Sequence, residues 1–208
     1  MNFKKNIAFT MAEVLMVIGI IGVVSALTLP NLNNKSDERV NVSKAKKVYS
    51  DLSAAVDRMA IKYSGSPYNW GASNTVGRMN SSMKIKGQST AFWFEAGDCA
   101  NVATGLSDGA SYCAVSNSTT CMNILFDVDG PKKGMKTVGY DVFKASISIP
   151  AVSTNPIELK PWSCSDSGTF STSSQPGAEN YLNWVVQYDN MDYRKCNTLY
   201  YQNVTTCK

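Results

Sequence analysis

Residues 9–34 read FTMAEVLMVIGIIGVVSALTLPNLNN, an apolar run interrupted by a single acid, Glu13. From Val14 to Asn34 the chain carries no charge for 21 residues. At about 1.5 Å per residue a helix of that length spans roughly the 30 Å of a bilayer's hydrocarbon core. The expectation is therefore a membrane-crossing helix over residues 9–34. The eight residues before it, MNFKKNIA, have Lys4 and Lys5 as their only charges. By the positive-inside rule they stay in the cytoplasm, and everything after Lys35 lies on the other side.

Working outward, apolar residues recur after the polar patch NLNNKSDER at Val48, Leu52, Val56, Met59 and Tyr63, spaced as one face of a helix demands. The helix thus continues to about Tyr63, its second half presenting this stripe to a sheet, and Gly65-Ser66-Pro67 ends it. Residues 65–90 are rich in Ser, Asn and Gly and read as a long connection containing a short helix. Aromatic or β-branched runs then predict strands over Ala91 to Glu95, Ser111 to Val115, Met122 to Val128 and Tyr140 to Ile149. Residues 150–180 read as an irregular surface excursion fixed through Cys164. Tyr181 to Tyr188 is either a short helix or an added strand. A long helix followed by short strands predicts an α+β fold, with an antiparallel sheet packed on the helix. The expected organisation is a leader (1–8), a membrane or filament-core helix (9–34) and a head (35–208) that includes the helix's second half.

Composition narrows the function. With 208 residues, 17% charged and a surplus of four cations, the chain is too weakly basic to predict nucleic-acid binding. It has no histidine, which removes His triads, His bases and His metal ligands. No G-x-S-x-G or paired-carboxylate motif compensates, so an enzyme is not expected. Six cysteines, Cys99, Cys113, Cys121, Cys164, Cys196 and Cys207, lie in the second half with no CxxC pair. That spacing points to disulfides made in an oxidising compartment. Near-neighbour pairing joins Cys113 to Cys121 and Cys196 to Cys207, leaving Cys99 with Cys164; free buried thiols are the alternative.

A carboxylate near the start of a membrane helix costs a few kcal/mol unless it is paired or neutral. No base lies within a helical turn of Glu13, so its expected partner is a charge from another chain. An ordinary secretory signal, cut after the apolar run near Ser25-Ala26-Leu27, does not account for Glu13.

A short basic leader, a small residue, Phe9-Thr10-x-x-Glu13 and a long apolar helix resemble the class III signal of type IV prepilins and type II secretion pseudopilins. The resemblance covers roughly residues 1–32. It implies that a membrane-embedded aspartyl prepilin peptidase cuts between Ala8 and Phe9 and methylates the new Phe9 amine. The residue before the cut is usually Gly in that family and is Ala8 here. The Phe9 amine of one subunit would then pair with Glu13 of its neighbour, setting an axial register. Pro30 falls where many members carry a helix-bending proline. The implied partners are a homo- or hetero-oligomeric filament, the peptidase and an inner-membrane assembly platform. The implied location is the bacterial inner membrane, single-pass, with a periplasmic head that later enters a pilus or pseudopilus.

A second stretch, Phe126-Asp127-Val128-Asp129-Gly130-Pro131-Lys132-Lys133-Gly134 and then Gly139-Tyr140-Asp141-Val142-Phe143, is similar to the Asp-rich hairpin of pseudopilin-like heads. Two readings stand. In one, Gly130 and Gly134 supply backbone freedom and the aspartates cap turn amides. In the other, Asp127, Asp129 and Asp141 collect oxygens around a calcium ion. The interval from Asn190 to Cys207 resembles the cysteine-bounded terminal loop of many pilins. Two other classes remain beside the filament subunit: a membrane-anchored adhesin or ligand-binding module that uses Trp70, Trp162 or Trp184 without polymerising, and, least favoured, a tethered hydrolase.

Overall fold

The computed structural model describes residues 10–63, 71–89, 103–117, 120–130, 137–149, 157–169 and 177–194. It is an α+β protein with one antiparallel six-stranded sheet. Helix α1 (Met11–Lys62) is followed by α2 (Gly71–Asn80), β1 (Ile85–Ser89), β2 (Ala103–Leu106), β3 (Ser111–Asn117), β4 (Cys121–Asp127), β5 (Val142–Ser148), β6 (Glu158–Lys160) and α3 (Tyr181–Tyr188). The chain divides into two compact units, 1–38 and 39–208.

In the second unit the strands form a meander in sequence order, each antiparallel to its neighbours. Strand alternation sends Met122, Ile124 and Phe126 of β4 to the same face as their cross-strand partners Ile147, Ala145 and Phe143 of β5. The Phe126 and Phe143 rings lie 5.8 Å apart, centre to centre. Against this face α1 places Val42, Ala45, Val48, Leu52, Val56 and Met59, all buried in the same core. The stripe read from the sequence is therefore core, and it begins two turns earlier, at Val42. Burying one such side chain contributes roughly 1.5–3 kcal/mol. Tyr49 ties the helix to the sheet edge, its hydroxyl donating to the Leu159 carbonyl at 3.0 Å. Burial and the neighbouring Glu158 push that hydroxyl's pKa up to about 12.

The other face of β4 and β5 makes polar contacts with residues in 161–169 and 177–180. Cys164 is bonded to Cys121, and its amide donates to Asn123 Oδ1 at 2.7 Å. Ser146 donates to the Trp162 carbonyl at 2.6 Å, and Lys144 pairs with Glu179. The described parts of the excursion expected at 150–180 are thus stapled to the sheet, and Glu158–Lys160 within it supply β6.

Tyr181 to Tyr188 is helical. Leu182, Trp184 and Val185 are buried, and Asp189 ends the helix in a left-handed conformation with its amide bonded to the Val185 carbonyl at 3.1 Å. Three strands were not expected from the sequence: β1 and β2 are short and carry Gly87 and Gly105, and β6 has three residues. Their pairing comes from the sheet around them rather than from their own β propensity. The expected strand Ala91 to Glu95 lies outside the described residues.

Candidate assembly surface

The first unit exposes the most apolar surface in the molecule. Eleven large apolar side chains between Met11 and Leu27 are at least half exposed, from 50% at Val14 to 83% at Met11. Val14, Leu15, Met16 and Val17 stand at successive 100° steps, so the apolar surface runs all round the helix. A helix of this kind belongs in a core or a membrane rather than in water. At roughly 1.5–3 kcal/mol per side chain, leaving eleven of them wet costs on the order of 20 kcal/mol. That exceeds the net stability of a typical domain, about 5–15 kcal/mol. The expected membrane-spanning helix is itself not shown: among the described residues no helix is long and apolar enough to cross a membrane. Helix α1 runs through Pro30, whose ring removes one amide from the helical ladder.

At the start of α1, Glu13 has a partner within its own chain. Its Oε2 accepts from the Thr10 amide and the Thr10 hydroxyl, each at 2.8 Å, and the Glu13 amide donates back to Thr10 Oγ1 at 3.3 Å. This is a capping box, in which hydroxyl and carboxylate each satisfy an amide the helix leaves open. A search for bases alone overlooks it, although Thr-x-x-Glu is its sequence signature. Glu13 Oε1 accepts no hydrogen bond among the described residues, which leaves one oxygen for a further cation. Ala8 and Phe9, the expected cleavage and methylation positions, lie outside the described residues.

The cysteine pairing differs from the near-neighbour expectation. Cys121 bonds Cys164, 43 residues away, so neither Cys113–Cys121 nor Cys99–Cys164 forms. The register explains why: Cys113 stands opposite Leu125, four residues from Cys121 along β4, and side chains so far apart on a strand cannot be bridged. Cys113 is itself disulfide-bonded, and Cys99, Cys196 and Cys207 lie outside the described residues.

In the Asp-rich hairpin, Asp127 Oδ1 accepts from the amides of Asp129 at 3.1 Å and Gly130 at 3.0 Å, and Asp141 Oδ1 accepts from Thr137 at 2.6 Å. Asp127 and Asp141 are buried with those oxygens aimed at turn amides. Among the described residues no group of three His, Cys, Asp or Glu is placed to hold a metal ion. Gly130 has φ +82°, and a β-carbon there would meet the Gly109 carbonyl at 2.2 Å, so this turn admits only glycine. Gly134 lies outside the described residues. Of the tryptophans offered for ligand binding, Trp184 is fully buried and donates to Asn190 Oδ1 at 2.9 Å, Trp162 is half-buried against Gly168, and Trp70 lies outside the described residues. Comparison of the chain with protein-family models, with curated proteins and with solved structures finds no match.

Proposed function

We propose that the chain is a structural subunit of a type IV pilus-like filament or a type II secretion pseudopilus, made as a precursor and anchored by the first half of α1. The observation that carries this reading is the contrast within one helix. Its first half is apolar all round with its side chains exposed, and its second half buries a single stripe beneath a sheet. A bilayer covers the first half before assembly and the stems of neighbouring subunits cover it afterwards, so the same surface serves storage and polymerisation. In that cycle the leader is removed between Ala8 and Phe9, Phe9 is N-methylated, and the head stands on the periplasmic side of the inner membrane. The Glu13 oxygen left over by the capping box receives the Phe9 amine of the next subunit. Catalysis resides in the partners, the prepilin peptidase and the assembly platform.

Intact-mass and N-terminal peptide analysis of the protein from its native membrane tests this. The expected chain begins at N-methylated Phe9. A chain that still begins at Met1 removes the support for assembly, and one that begins near Ala26 is a released head. Either result favours the non-polymerising binding module. Glu13→Ala is expected to abolish filament formation while leaving the melting of the head unchanged.

A further inference from the structure

The head carries a cleft of about 250 Å³ between the outer face of α1, the approach to β1 and the turn from β2 to β3. Five of its eight described lining residues are charged, in a chain whose charged residues are only 17%, so the cleft concentrates charge above the chain's average. The charges fall into two groups. In the first, Lys47 donates to Asp108 Oδ2 at 2.8 Å, with Asp51 one helical turn away adding to its field. Asp108 is partly buried, which alone would raise its pKa; the hydrogen bonds from Lys47 and the Ala110 amide outweigh this and lower it. This group is internally satisfied.

The second group is not. Arg58 on α1 and Lys84 before β1 are both exposed, and among the described residues neither side chain makes a hydrogen bond or ion pair. Among the described residues, two cations of this one small cleft thus stand outside any ion pair. Met83 and Leu106 add apolar surface to the same lining.

We propose that this cleft is a recognition site for a carboxylate carried on a short carbon chain. The Arg58 guanidinium offers its planar fork to both oxygens, Lys84 adds a second donor, and Met83 and Leu106 take the methylenes. One net positive charge in the cleft matches a monoanion, and Asp51 and Asp108 in the same lining repel a phosphate dianion. The carboxylate comes either from a free small acid or from an acidic side chain of an adjoining protein chain. The site does not depend on the filament reading, since both unpaired cations and the apolar surface belong to the head alone.

The test uses the full chain in detergent micelles. Butyrate is titrated while NMR follows the Met83 methyl and Arg58 side-chain signals, with Arg58→Gln/Lys84→Gln as the comparison and the melting temperature as the control for folding. Saturable shifts, with affinity at least tenfold weaker in the variant, support the site. In cells, a photo-crosslinking residue at Ser107 distinguishes the sources: crosslinks to another chain that fall at least tenfold in the variant assign the carboxylate to a protein, and butyrate binding without them assigns it to a free acid. The absence of both saturable butyrate binding and charge-dependent crosslinking overturns the proposal, as does inorganic phosphate binding as tightly as butyrate. Loss of filament assembly in the wild type would defeat the filament reading and leave the butyrate result standing.

Discussion

The two halves of α1 share one helical backbone and differ in where their apolar side chains go. From Met11 to Leu27 these side chains surround the helix and are exposed. After Arg39 they form a stripe spaced by three and four, and that stripe is buried. Helix formation therefore says little about the role of either half. What separates them is whether the chain itself supplies the cover.

Leu52→Ala probes that difference most strongly. Leu52 is fully buried between α1 and the sheet, and its truncation is expected to destabilise the head by about 2–5 kcal/mol. Val17→Ala, on the exposed half, should shift head stability by less than about 0.5 kcal/mol. Denaturant titration in micelles, followed by the fluorescence of buried Trp184, measures both. Equal effects would erase the distinction between the halves.

Removing the Cys121–Cys164 bond asks whether the segment around Cys164 rests on its staple. Replacing both cysteines by serine is expected to cost about 2–4 kcal/mol, because the bond restricts a long loop of the unfolded chain. Hydrogen exchange should quicken first at the Cys164 amide, which is held on Asn123. Unchanged exchange there would mean the polar contacts alone hold the segment.

Thr10→Ala tests the start of the exposed half. Loss of the cap is expected to cost about 1 kcal/mol locally, seen as faster exchange at the Glu13 and Val14 amides with the head's melting unmoved. An effect on head melting would couple two regions that the burial pattern separates.

The smallest expected effect is a dependence on pH. Partial burial would raise the pKa of Glu179, but the hydrogen bonds from Lys144 and Ser163 prevail and lower it below its ordinary 4.5. A folded-state value below the unfolded one makes this contribution complete above about 4.5 and lost as pH falls through the depressed value. The pair is more than a third exposed on the glutamate side, so solvent screening holds the contribution below about 1 kcal/mol. Acid unfolding of Glu179→Gln should begin from a slightly lower stability at neutral pH and converge with the wild type below the transition. A constant offset at all pH values would rule out the ion pair as the cause.

Much of this was legible in the residues. An uncharged run of 21 residues, a 3–4 stripe from Val48 to Met59 and the Gly-Ser-Pro stop are local patterns, and they determined the long helix, its two characters and its end near Lys62. The runs at Ser111, Met122 and Tyr140 determined β3, β4 and β5, because strands at the centre of a sheet must be apolar on the face they bury. Thr10-x-x-Glu13 held the capping box as well, in plain residue types. Only the tertiary structure decided the pairing of Cys121 with Cys164, the strands β1, β2 and β6, and the meeting of Arg58 with Lys84 in one cleft. Each of these depends on which distant segments the meander lays side by side, and nothing within a few residues of any of them encodes that.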